Sequence, residues 1–218
     1  MQATCRDAVQ CCTWINSDVK TGIADPVPAR IVFLQLLEAW PYTQLRGFGF
    51  DLAYSDLYCF RGSAWLNDNA MRAFAVYLRR YKNNGAIALP QNSGKTVSLH
   101  ANMLNHIAEG VELHPYVLLP VNFGGVHWGC LVIDKAAKQI KTYDSMGGKK
   151  NMKFLKAMTS EIIEKTTGGD KFTNTTVTEP IQTDGDNCGV DSPSDVSTTE
   201  VLKLRWAMLH AILKMKNF

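Results

Sequence analysis

No stretch of this sequence holds the roughly 18 consecutive apolar residues that a membrane-spanning helix requires. The opening MQATCRDAVQCCTW lacks the continuous apolar core of a secretory signal. Both absences point away from the membrane and predict an intracellular, reducing setting, nucleus or cytoplasm. Charge of one sign is also scarce. Lys and Arg number 23 against 20 Asp and Glu, and the net charge of +3 is too small to argue for a nucleic-acid partner. The local clusters Lys149, Lys150, Lys153, Lys156 and Arg79, Arg80, Lys82 read as solvated helix faces. Six cysteines at irregular spacing make no disulfide framework. Cys11 and Cys12 are adjacent without a C-x-x-C or a histidine pair, so no zinc site is read there. There is no internal repeat and no low-complexity tract. What remains is 218 residues, 46% apolar, enough for a sizeable core in one large domain or one domain with an appendage.

Residues 1–60 carry little legible pattern. RIVFLQLLEAW (30–40) predicts a helix, preceded by a turn or linker at ADPVPA, because proline fixes φ and removes a donor. PYTQLRGFGFDLAYSDLYCFRGS reads as irregular with short extended pieces. Leu66, Ala70, Phe74, Tyr77, Leu78 and Tyr81 recur at helical spacing, with Asn67 or Asp68 to cap the start and Asn83-Asn84-Gly85 to stop it. A short helix is expected over 100–109. YVLLPV (116–121), HWGCLVID (127–134) and QIKTYD (139–144) predict an antiparallel hairpin beside a third strand. KNMKFLKAMTSEIIEK (150–165) is an amphipathic helix, FTNTTVT (172–178) a further strand, and 198–215 a helix with two apolar stripes, hence well buried. Together these make an α+β pattern.

The hairpin carries the first chemistry. If Asp134 pairs with Gln139, Gly129 lies opposite Asp144, and His127 shares a face with Gly129. His127 and Asp144 are then diagonal neighbours within reach of a hydrogen bond, and a slip of one residue would put them on opposite faces. Such a bond fixes an imidazole tautomer and stabilises its cation. The second piece is EPIQTDGDNCGVD (179–191). Cys188 sits there in a polar, glycine-rich turn rather than among apolar residues. A cysteine attacks as thiolate, which a nearby imidazolium favours. Gly185 and Gly189 allow a tight turn that aims backbone N–H groups at an oxyanion, and Gln182 can add a side-chain donor. The bland reading is an incidental cysteine in a polar loop and a hairpin with a satisfied histidine.

Three blocks, SAWLNDNAMRAFAVYL (63–78), HWGCLVIDKAAKQIKTYDSMGG (127–148) and IQTDGDNCGV (181–190), resemble in order and spacing the ubiquitin-like protease family, the SUMO-processing cysteine peptidases. The resemblance implies a papain-like cysteine peptidase fold, with a small mixed or antiparallel sheet flanked by helices. It implies a catalytic domain over 55–218, with 1–54 an unassigned N-terminal extension. In this likeness Cys188 is the nucleophile, His127 the general base and acid, Asp144 its orienting partner and Gln182 the oxyanion-hole side chain. Trp65 and Trp128 are similar to the two indoles that enclose the substrate's Gly-Gly tail, and Asp68 to a position contacting the body of the modifier. Each has an alternative: Trp65 as a core anchor, Asp68 as a cap, Trp128 as packing on a neighbouring strand. The implied partner is a ubiquitin-like modifier, SUMO first, and its conjugates. The protein is read as a monomer that requires no metal or organic cofactor.

One stretch departs from the family. There the nucleophile opens a long apolar helix, whereas here the chain continues CGVDSPSDVSTTEVLKLRW. Pro193 lies five residues after Cys188, and proline inside a helix costs about 3 kcal/mol. The nucleophile helix is therefore read as shortened or missing. A diverged enzyme, a mis-spliced gene model and an inactive relative that still binds a ubiquitin-like protein stay open, as does an acetyltransferase using the same Cys–His pair.

Overall fold

The computed structural model describes residues 1–22, 25–82, 84–86, 99–125, 127–166, 171–179 and 197–215. They divide into two compact units, 1–77 with 190–218 and 78–189.

The first unit is helical. α1 (Gln2–Trp14) runs through a π-helical stretch, Ile15–Val19, into α2 (Lys20–Gly22). Cys11, Ile15 and Val19, spaced by four, are almost wholly buried and define the inner face. α3 (Pro26–Glu38) begins earlier than the apolar run suggests, and ADPVPA is not a linker. Asp25 Oδ1 accepts from the Val27 amide at 3.0 Å, and Pro26 takes the first helical position. In the first turn an amide has no helical acceptor, so proline is tolerated there. The irregular stretch that follows holds a single bridge, Gln44 to Ala53, then α4 (Tyr54–Leu57) and a 3₁₀ turn, Tyr58–Phe60. α5 (Asp68–Tyr81) is capped by Asn67, whose Oδ1 accepts from the Ala70 amide at 2.8 Å.

α8 (Thr198–Met215) spans the expected residues and is as buried as its two stripes require. Between those stripes lies Arg205, 1% exposed. Its guanidinium donates to the carbonyls of Cys59 and Arg61, each at 3.1 Å, and Ala64 at 2.9 Å. A planar donor fork thus gathers the carbonyls of the turn leading to Trp65.

The second unit is a sheet with two helices. Its strands are β1 (Gly85–Ala86), β2 (Tyr116–Asn122), β3 (Trp128–Asp134), β4 (Gln139–Tyr143) and β5 (Thr173–Val177), in that spatial order. β2, β3 and β4 are antiparallel, and the outer pairs β1–β2 and β4–β5 are parallel. β1 went unread because two residues carry no periodicity. α6 (Ala101–Leu113) and α7 (Lys149–Thr166) complete the unit. Leu104 and Ile107 of α6, and Leu155, Met158 and Ile162 of α7, share one core with Val117, Leu119, Leu131, Ile133 and Ile140 of the sheet. The expected mixed sheet flanked by helices is what forms; the segment of the nucleophile helix lies outside the described residues.

Replacing Arg205 by Ala strips a donor from three enclosed carbonyls and leaves a cavity. The expected loss is about 3 kcal/mol of unfolding free energy, read as a lower denaturation midpoint at unchanged slope.

Candidate active site

The β3–β4 register decides the site. Asp134 pairs with Gln139 and Cys130 with Tyr143, the register that puts His127 and Asp144 on one face. The turn that sets this register is tied down by Asp134. Its Oδ1 accepts from the Ala137 amide at 3.0 Å, and its Oδ2 lies 3.3 Å from Lys141 Nζ. Those contacts, the amide first, hold its carboxyl below the ordinary carboxylate range against the opposing effect of burial.

Continued past the strand ends, the register delivers His127 to Asp144. His127 Nε2 lies 2.6 Å from Asp144 Oδ1, with the side chains 6% and 0% exposed. Asp144 closes a turn in which its Oδ1 accepts from the Met146 amide at 3.1 Å and its Oδ2 from the Gly148 amide at 3.2 Å. Gly147, at φ 63, supplies the left-handed residue this turn requires. Burial pushes the Asp144 carboxyl up, but the His127 hydrogen bond and charge and these two amides outweigh it, and the group lies below its ordinary value. The carboxylate is therefore ionised and can only accept, so Nε2 carries the hydrogen. Nδ1 is then the ring nitrogen through which His127 can exchange a proton with a nucleophile.

The segment before His127 is shaped by residues that sequence reasoning did not single out. Asn122, 4% exposed, accepts from the Gly125 amide at 2.7 Å through Oδ1, and the Phe123 amide donates to the His127 carbonyl at 2.7 Å. Gly124 and Gly125 both have positive φ, 67° and 79°. The signal was the NFGG between the strand and HW, a turn motif with no periodicity of its own.

Trp128 is buried at the first position of β3, opposite Asn122. In the first unit Trp65 is 52% exposed and lines a cavity of about 470 Å³ with Asp7, Ser55, Arg61, Ser63 and Asn67. Asp68 is exposed in the first turn of α5, where the cap is Asn67. Gln182 and Cys188 lie outside the described residues. Burial pushes the thiols of Cys11 and Cys12 up, Cys59 to about 11 and Cys130 to about 12. Those four are protonated and poorly nucleophilic at neutral pH. Cys130, near His127 in sequence, is three positions along an extended chain from it, and so faces the other way.

Residues 100–191 match the family model described as Ulp1 protease family, C-terminal catalytic domain, which is less than half of the chain. Curated proteins yield no match. Among solved structures the chain is similar to the yeast C-terminal Ulp1 protease domain in complex with Smt3, at TM-score 0.64 and 20% identity, covering 88% of this chain and 96% of that one. It is also similar to the Chaetomium thermophilum Ulp1-like SUMO protease catalytic domain, at TM-score 0.52 and 20% identity, covering 81% and 84%. A SUMO protease Ulp1 with its catalytic cysteine oxidized to a sulfinic acid matches at TM-score 0.59 and 22% identity, over 80% and 89%. The fold is thus the α+β, papain-like fold of the ubiquitin-like proteases, and the resemblance read from the sequence is borne out by the family model.

Asp144 makes the unit acid-sensitive. Its folded carboxyl titrates below the unfolded one, so the stability it contributes is present above the unfolded value near pH 3.9 and is lost as pH falls through the folded value. Asp144→Asn is expected to cost about 2 kcal/mol at pH 7. The gap to wild type should narrow steadily below pH 4 in chemical denaturation run across that range.

Proposed function

We propose that the chain is a cysteine-type isopeptidase that cleaves after the C-terminal Gly-Gly of SUMO or another ubiquitin-like modifier, with 55–218 as its catalytic domain. The observation that carries this reading is the 2.6 Å contact between buried His127 and the ionised Asp144, in the tautomer that leaves Nδ1 for proton transfer. Support comes also from the family match, which extends through Gln182 and Cys188. Four other thiols are silenced by burial.

In this mechanism Nδ1 takes the Cys188 proton. The sulfur attacks the carbonyl carbon of the terminal glycine, and the carbonyl oxygen takes up the displaced electron pair. Gln182 and the Cys188 amide hold that oxyanion. The intermediate collapses, the C–N bond breaks, and the imidazolium protonates the departing lysine amine. Water, deprotonated by His127, then attacks the thioester and releases the modifier with a free carboxylate. Asp144 stabilises the imidazolium in each half-reaction. By the family resemblance, Trp65 and Trp128 are each assigned to the modifier's Gly-Gly tail and Asp68 to its surface. The protein acts as a monomer in nucleus or cytoplasm.

The test uses SUMO carrying a C-terminal vinyl sulfone, with ubiquitin and NEDD8 probes in parallel. A covalent adduct with SUMO is expected, abolished by Cys188→Ala. Asp144→Asn should lower kcat/KM by at least about 100-fold on a fluorogenic Gly-Gly substrate. Binding of SUMO without an adduct would instead favour the inactive relative.

A further inference from the structure

We propose that Phe123 is a positioning residue for His127, setting the plane of the imidazole where Asp144 sets only its far end. This rests on the reading of His127 as the general base.

The hydrogen bond to Asp144 leaves one motion open. Nε2 lies nearer than Nδ1 to the Cβ–Cγ axis of the histidine, so a single bond to it holds the ring plane against rotation less firmly than a contact on the ring face does. Nδ1 lies farther from the axis, and the same rotation swings it through space. Hence a second contact must hold the plane. Phe123 supplies it: the two rings stack with centroids 5.8 Å apart and planes 16° from parallel. The Phe123 ring is itself held by Phe154 of α7, edge to face at 5.8 Å, and its backbone is tied to the same histidine through the amide-to-carbonyl bond at 2.7 Å. Gly129 leaves room for it. A Cβ there would come within 2.9 Å of Phe123 Cε2 and 3.0 Å of the Tyr143 carbonyl oxygen. Among the described residues, Asp144 is the charged group in contact with the imidazole, and α7 sends the uncharged Phe154 and Leu155 toward this cluster.

A flat wall and a bulky one differ, which gives the experiment. Phe123→Leu keeps apolar bulk but removes the flat face, whereas Phe123→Tyr keeps it. With the fluorogenic substrate, Phe123→Leu should lower kcat about tenfold with KM within twofold, and Phe123→Tyr should recover most of the loss. A second readout needs no activity. In ¹⁵N-labelled Cys188→Ala protein, exchange of the His127 Nε2–H with water should be at least tenfold faster with Phe123→Leu added, and unchanged with Phe123→Tyr. If the wild type forms adduct and Phe123→Leu keeps full kcat, the positioning role falls while the peptidase reading stands. If no adduct forms at all, the peptidase reading falls. Ring exchange then decides the positioning role alone, and equal exchange in the three proteins overturns it.

Discussion

The pairing of β3 with β4 is the constraint on which the site depends. A sheet has a side-chain period of two, so register is all or nothing: one residue of slip would carry Asp144 to the far side of the sheet. Three features hold the register where it is. Asp134 anchors the connecting turn through the Ala137 amide. Leu131, Ile133 and Ile140 must face the core shared with α6 and α7. Thr142 Oγ1 reaches Asn174 of β5 at 2.9 Å, tying the next strand to the same alignment. The His127–Asp144 geometry is thus a by-product of core burial. The residues that hold His127 opposite Asp144 are mostly aliphatic and far from any proton transfer.

The legible parts of the sequence were those where one local pattern dominates. HWGCLVID is a short apolar run and QIKTYD a shorter one, with the polar DKAAKQ between them marking the turn. That spacing permits the His–Asp contact, and the register that forms is the one that makes it. The N-terminal helix was not legible because α1 buries Cys11, Cys12 and Trp14, all near its end, which leaves no helical period to read. Arg205 was not singled out at all. A charged residue between apolar stripes reads as an edge position, yet it lies at the centre because its partners are backbone carbonyls, which leave no trace in sequence. Phe123 and Asn122 were missed for a related reason: their roles lie in a turn, and their partners arrive through the fold rather than by spacing.

Cysteine chemistry in this chain is sorted by solvation. Desolvation disfavours a thiolate, and the thiols of Cys11, Cys12, Cys59 and Cys130 are raised accordingly. A nucleophile needs the reverse, a polar setting with a positive neighbour. Cys188 has the polar sequence, TDGDNCGVD, and His127 with its ionised carboxylate can provide the positive charge. The same desolvation that silences most of the thiols strengthens the His127–Asp144 interaction, because a contact with little water competing is worth more than an exposed one.

Pro193 bears on how much that pair must supply. An α-helix starting at Cys188 would meet Pro193 after little more than one turn, so a helix dipole can assist the thiolate only slightly. A full dipole contributes typically about 0.3–1 kcal/mol to a neighbouring charge, and one pKa unit corresponds to about 1.4 kcal/mol. Loss of such a dipole would therefore remove at most about 1 kcal/mol. A charge-assisted hydrogen bond to an imidazolium is worth about 1.5–3 kcal/mol, which exceeds that loss. In the proposed mechanism a Cys188 thiolate would therefore depend on the imidazole's charge and placement more than on a helix, and Asp144 and the turn around it hold that imidazole. If the nucleophile helix is shortened as the sequence suggests, the change would remove buried apolar area and a rigid mount for the sulfur, and so would weigh on stability and aim before acid–base chemistry.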